Sequence, residues 1–249
     1  GSEMSQSSVI TNENGWVKRG YSSNYCRPVF AVMDPELTMT LPPYQTACGC
    51  VDILMHTMER YFNHSGSMEI TDGIAEALMQ TVIRNALIVM QHPNDYNARA
   101  EIMWAGSLSH NGLTDCGCDH GDWATHKMEH ELGGLFDVAH GAGLAAIWGS
   151  WARYVCDADY ARFARFATKV LNVAPQATDK ETALAGIDAM EQFYHSIQMP
   201  TSLRELGISP TEEQIQEMAR KCILATNGPA GKVKPLHQND VENIYRAAL

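Results

Sequence analysis

Apolar and β-branched residues alternate with polar ones in three short runs at the start of the chain, SSVIT, WVKRGYSS and PVFAVMD, separated by the turn formers NENG and SNYCRP. Each run predicts a short strand. Three such strands do not bury a core of their own, so they are expected to close a sheet whose other strands lie elsewhere. Asp34-Pro35 ends the last run, and LTMTLPP leads to Pro42-Pro43, a proline pair suited to a helix entry.

From Tyr44 onward the period changes to that of helices. Tyr44–Phe62 repeats apolar residues at spacings of three and four through Ala47, Val51, Leu54, Met55, Met58 and Phe62. The stretch 71–90 is apolar nearly all round and predicts a helix at a bundle centre. Pro93 interrupts, 97–110 predicts a helix rich in small residues, and NGLTDCGCDHGD predicts a loop. Helices are further predicted over 140–156, 158–171, 180–197, 211–226 and 240–248, with Thr178-x-x-Glu181 and Ser209-x-x-Glu212 as capping boxes. The small residues after His140 permit close approach at that helix end.

Composition narrows the function. The 249 residues are 45% hydrophobic and 19% charged, an ordinary globular composition. A net charge of -11 disfavours nucleic acid and anionic lipid as partners and leaves small-molecule chemistry. Seven cysteines, an odd number, and no signal peptide predict reduced thiols and a cytoplasmic location. No 18-residue apolar run predicts a membrane span. The pairs Cys48/Cys50 and Cys116/Cys118 read as buried or incidental thiols, since helix positions two apart diverge by about 200°.

The chemistry concentrates in DWATHKMEHELGGLFDVAH, 122–140. His126 and His130, four apart, share a helix face. His140 would lie about 21 Å from His126 along an unbroken helix, so a shared ion requires a bend, expected at Gly133-Gly134. Asp52 and His56, also four apart on an apolar helix, are either a hydrogen-bonded core pair or part of a metal site. One acid with three neutral imidazoles suits zinc or iron. Neighbouring motifs fail: His130-Glu131 lacks the second histidine of H-E-x-x-H because position 134 is glycine, and Asp119-His120 reverses the His-Asp order of helical phosphohydrolases. His64, His92, His195 and His237 read as solvent histidines.

The runs GSEMSQSSVIT, PVFAVMDPELTMTLPP, VDILMHTMERY, GDWATHKMEHEL and AHGAGLA together resemble the iron-containing alcohol dehydrogenases, in their butanol dehydrogenase-like branch. The resemblance implies a mainly α chain: 1–42 as the last strands of an α/β nucleotide-binding domain, and 43–249 as an all-helical metal-binding domain of the dehydroquinate synthase-like type. It implies Fe2+ or Zn2+ on Asp52, His56, His126 and His140, with His130 lining the substrate and nicotinamide pocket and relaying the alcohol proton. Lys18, Ser2, Ser5, Leu37, Thr40 and Leu41 would contact NAD or NADP. Trp123, Trp148 and Trp151 are candidates for an apolar substrate channel, with packing expected for at least two of them.

The implied activity is hydride transfer between a primary alcohol or aldehyde and the nicotinamide, in a homodimeric enzyme. The family's glycine-rich pyrophosphate loop precedes GSE and does not occur in this sequence, so the chain resembles the last two thirds of such an enzyme and is not expected to turn over unaided. A helical metal-dependent hydrolase that activates water is the rival reading, against which the strands and Lys18 argue; a non-catalytic helical interaction domain leaves the inward Asp52 and His56 unexplained.

Overall fold

The computed structural model describes residues 3–63, 66–119 and 121–249. It opens with an antiparallel hairpin, β1 (Ser7–Asn12) and β2 (Val17–Ser22), in which Val9 faces Gly20 and Ile10 faces Arg19. The third predicted strand does not form. Residues 28–33 run without a backbone partner among the described residues, and Val29, Phe30 and Val32 are exposed. Apolar β-formers become a strand when a neighbouring strand satisfies their backbone, and none lies beside them among the described residues.

Nine α-helices follow among the described residues: α1 (Pro43–Tyr61), α2 (Glu69–Gln91), α3 (Tyr96–His110), α4 (Ala124–Phe136), α5 (His140–Val155), α6 (Tyr160–Val170), α7 (Asp179–Ser196), α8 (Glu212–Thr226) and α9 (Gln238–Ala247). Pro43 takes the first position of α1, where a missing N–H costs nothing. Thr178 caps α7 as expected, but the reciprocal box of α8 is Thr211 with Gln214 instead of Ser209 with Glu212.

The bundle centre is α5 and not α2. Between Gly141 and Gly149 every residue of α5 is buried, whereas α2 exposes Ile70 and Leu87. By length and mean hydropathy α2 is long and apolar enough to cross a membrane, contrary to the reading of the sequence. In the bundle it packs on α1, α3 and α6, and its buried Asp72 and Glu76 pair with Arg162 and Arg165. Trp148 and Trp151 fill the core beside Phe62, Phe163 and Phe166, so they pack and line no channel.

The small residues of α5 serve its contact with α1. A β-carbon on Gly141 would lie 2.1 Å from the Cys48 carbonyl oxygen. The chain also turns elsewhere than predicted: α4 runs straight through Gly133-Gly134 and ends at Asp137, whose φ of 52° starts the bend into α5. Aspartate tolerates this left-handed conformation better than most residues. The glycine pair instead receives the hairpin. A β-carbon on Gly134 would lie 3.0 Å from the Trp16 carbonyl oxygen, and one on Gly133 would lie 2.6 Å from Lys18 Nζ.

Candidate metal centre

Three elements deliver the predicted ligands. Asp52 and His56 are one turn apart on α1, His126 lies in the first turns of α4, and the bend at Asp137 carries the chain back so that His140 opens α5. Asp52 Oδ1 lies 3.5 Å from His56 Nε2, 3.6 Å from His126 Nε2 and 3.5 Å from His140 Nε2. Ligands held at about 2.0–2.2 Å around one tetrahedral ion stand about 3.3–3.6 Å apart. Asp52 Oδ1 and His126 Nε2 are buried and have no hydrogen-bond partner. Buried lone pairs converging in this way fit a divalent cation better than they fit one another.

Electrostatics agree. Burial alone would raise the Asp52 carboxyl, but the neighbouring imidazoles of His56, His126 and His140 outweigh it and hold it far below the usual carboxylate range. Burial disfavours a charge on His126, yet Asp52 and Glu59 together raise it to about 9. The space between these carboxylates thus favours a positive charge. Burial pushes His56 well below its ordinary value and leaves it neutral, as a ligand requires.

The other ring nitrogens of two of these imidazoles are held by buried acids. Glu59 Oε1 accepts from the His126 backbone N–H at 3.0 Å and lies 3.1 Å from His126 Nδ1. Glu129 Oε2 bonds His140 Nδ1. Neither acid is among the residues expected from the sequence. Asp52, His56 and Glu59 stand at i, i+4 and i+7, and His126 and Glu129 at i and i+3, so an acid sharing a helix face with a candidate ligand was the signal available.

A cavity of about 500 Å³ opens onto this centre, lined in part by Ser5, His56, His110, Trp123, His130 and His140. Asp52, His56 and His126 bring ligand atoms within 4.8 Å of one another, whereas His140, 3.5 Å from Asp52, clusters at that distance with Glu129 and His130; the His130 ring centre lies 6.5 Å from that of His126 and 5.8 Å from that of His140. Burial and then the two neighbouring imidazoles push it down to about 2, so it is neutral. His110, which the sequence reading left within a helix, tilts over His56 with ring centres 3.8 Å apart, and burial lowers it to about 4.

The predicted cofactor contacts divide. Ser5 reaches this cavity. Ser2 lies outside the described residues, as does His64. Leu37 is exposed, Thr40 Oγ1 bonds the Leu37 carbonyl, and Leu41 lines a separate cavity of about 300 Å³ between α1 and α3. Lys18 turns to Glu129, with Nζ 3.2 Å from Oε2. His92, His195 and His237 are exposed, as expected.

Residues 46–249 match the sequence profile of the Fe-containing alcohol dehydrogenase family, C-terminal region. The NADH-dependent butanol dehydrogenase A of Clostridium acetobutylicum is 37% identical over 247 residues, 99% of this chain and 63% of that protein. The NADPH-dependent aldehyde reductase YqhD of Escherichia coli is 34% identical over 208 residues, 84% of this chain and 53% of that protein. The crystal structure of NADH-dependent butanol dehydrogenase A from Thermotoga maritima matches with a TM-score of 0.93 at 35% identity, covering 99% of this chain and 63% of that one. The chain belongs to the iron-containing alcohol dehydrogenase family. It spans about 63% of the length of the butanol dehydrogenases it matches.

Proposed function

We propose that Asp52, His56, His126 and His140 hold one divalent ion, Fe2+ or Zn2+, in an enzyme that transfers hydride between a primary alcohol or aldehyde and NAD(H) or NADP(H). The observation that carries this reading is the set of three imidazole Nε2 atoms 3.5–3.6 Å from one carboxylate oxygen. Family membership supports the reaction class, and the relatives' names include both NADH- and NADPH-dependent enzymes.

When bound, the ion supplies Lewis acidity, which favours the ionised alcohol in one direction and the polarised aldehyde carbonyl in the other. The chain's residues do the rest. Glu59 and Glu129 orient two of the imidazoles toward Asp52. His130, neutral and on the cavity wall, accepts a hydrogen bond from the alcohol hydroxyl and orients it. Trp123 narrows the cavity with an apolar wall beside His56 and His126 and limits water at the reacting carbon. Ser5, on the hairpin side of the cavity, offers a hydroxyl to the substrate or the nicotinamide.

The test is anaerobic reconstitution of the chain with Fe2+ or Zn2+, followed by elemental analysis. One ion per chain is expected, and no retained ion after desalting would refute the reading.

A further inference from the structure

Glu129 is wholly buried, yet it is ionisable and sits inside the helical bundle. An isolated carboxylate there would be costly, so its partners define its purpose. It has two kinds. On one side Oε2 bonds His140 Nδ1. On the other, Lys18 Nζ lies 3.2 Å from Oε2 and 3.5 Å from Oε1. Lys18 comes from β2, 111 residues earlier, and its side chain is itself 16% exposed.

Two glycines clear the space for this arrangement. A β-carbon on Gly133 would lie 2.6 Å from Lys18 Nζ and 2.9 Å from Glu129 Oε1; one on Gly143 would lie 2.9 Å from Glu129 Cγ. Glycine inside a helix is less favourable than alanine. Here both helices leave room around one buried carboxylate.

We propose that Glu129 is the positioning residue for His140, and that Lys18 holds the Glu129 carboxylate in place, which makes the β1–β2 hairpin part of the metal centre. The proposal rests on the metal reading above. Glu129 accepts the Nδ1 proton, which fixes the tautomer that leaves the Nε2 lone pair facing Asp52 Oδ1. Lys18 donates to both Glu129 carboxylate oxygens, and movement of the hairpin is transmitted to His140 through these two side chains. Glu59 does the same for His126 with no lysine, so the coupling to the hairpin belongs to His140.

Cobalt(II) titration of the 249-residue chain, with chelator competition and visible absorption of the bound ion, tests this. Glu129→Gln keeps the shape of the side chain but sets its amide NH2 against the Lys18 ammonium. It should weaken Co2+ binding about 10–100-fold, the usual cost of losing such a partner, and change the visible bands. Adding Lys18→Met removes the clash of donors and should recover part of the affinity; Lys18→Met alone should also shift the bands, although it removes no ligand. Wild-type affinity and bands in Glu129→Gln, or a double variant no better than it, would overturn the proposal. If Glu129→Gln fails to fold, unchanged bands in Lys18→Met overturn it. A wild-type chain that takes up no cobalt overturns the metal reading itself, and this proposal with it.

Discussion

Gly141 meets the backbone of Cys48 so closely that a β-carbon there would lie 2.1 Å from the carbonyl oxygen and 2.7 Å from the carbonyl carbon. Because the obstacle is backbone, α5 would have to move as a body away from α1. Gly141 adjoins His140, and Cys48 lies one turn before Asp52, so the displacement acts directly on the 3.5 Å separation of His140 Nε2 and Asp52 Oδ1. Gly141→Ala should therefore destabilise the fold by about 1–3 kcal/mol, as overpacking does, and also weaken metal binding. Urea unfolding together with a metal titration reads both. A variant with wild-type values in each would contradict the packing argument.

His126→Ala and His140→Ala remove Nε2 atoms that face Asp52 Oδ1 and should abolish stoichiometric metal, whereas His130→Ala removes a cavity wall and should leave it. Elemental analysis after desalting distinguishes them. Equal loss in all three variants would mean that His130 is also a ligand and that its role in the cavity is misassigned.

The candidate cluster was legible because helical spacing puts Asp52 with His56 and His126 with His130 on single faces. The bend was misplaced for a physical reason. In a sequence, Gly133-Gly134 reads as a breaker, but glycine inside a helix also marks the close approach of another chain segment, here Trp16 and Lys18 of the hairpin. That role depends on a neighbour more than 100 residues away. Asp137, which does turn the chain, carries no stronger local signal than any other aspartate. Glu59 and Glu129 were passed over because acids on helices usually face solvent; their burial depends on which elements pack around them.

Arg162 ties three elements together away from the candidate metal centre. Its guanidinium donates to both Asp72 oxygens at 2.6 and 2.7 Å and to the Tyr61 carbonyl at 2.6 and 2.8 Å, and it lies 3.7 Å from the centre of the Tyr61 ring. Side-chain exposures of 12% and 6% place the Asp72 pair in the interior. Asp72→Asn leaves the guanidinium buried without its counter-charge and should cost about 3–5 kcal/mol. Chemical denaturation should register this loss, while metal affinity measured under native conditions should stay at the wild-type value. A stability within experimental error of wild type would refute the assignment.

The seven thiols are free, and they differ in surroundings. Cys26 and Cys116 are exposed, whereas Cys50 and Cys222 are buried and pushed up to about 12 by that burial. A disulfide reagent at neutral pH should therefore titrate Cys26 and Cys116 rapidly in the native chain, and all seven once it is unfolded. The same shifts set a pH dependence. Unfolded, each thiol releases its proton near 9, while in the fold Cys50 and Cys222 keep theirs to about 12. Between these values the folded state binds more protons than the unfolded one. Stability from these groups is therefore complete below about pH 9 and falls as pH rises toward 12, by up to about 1.4 kcal/mol per pH unit for each thiol. Urea midpoints measured from pH 8 to pH 11 should decline, and less steeply in Cys222→Ala. An identical slope in that variant would show that the buried thiol does not contribute.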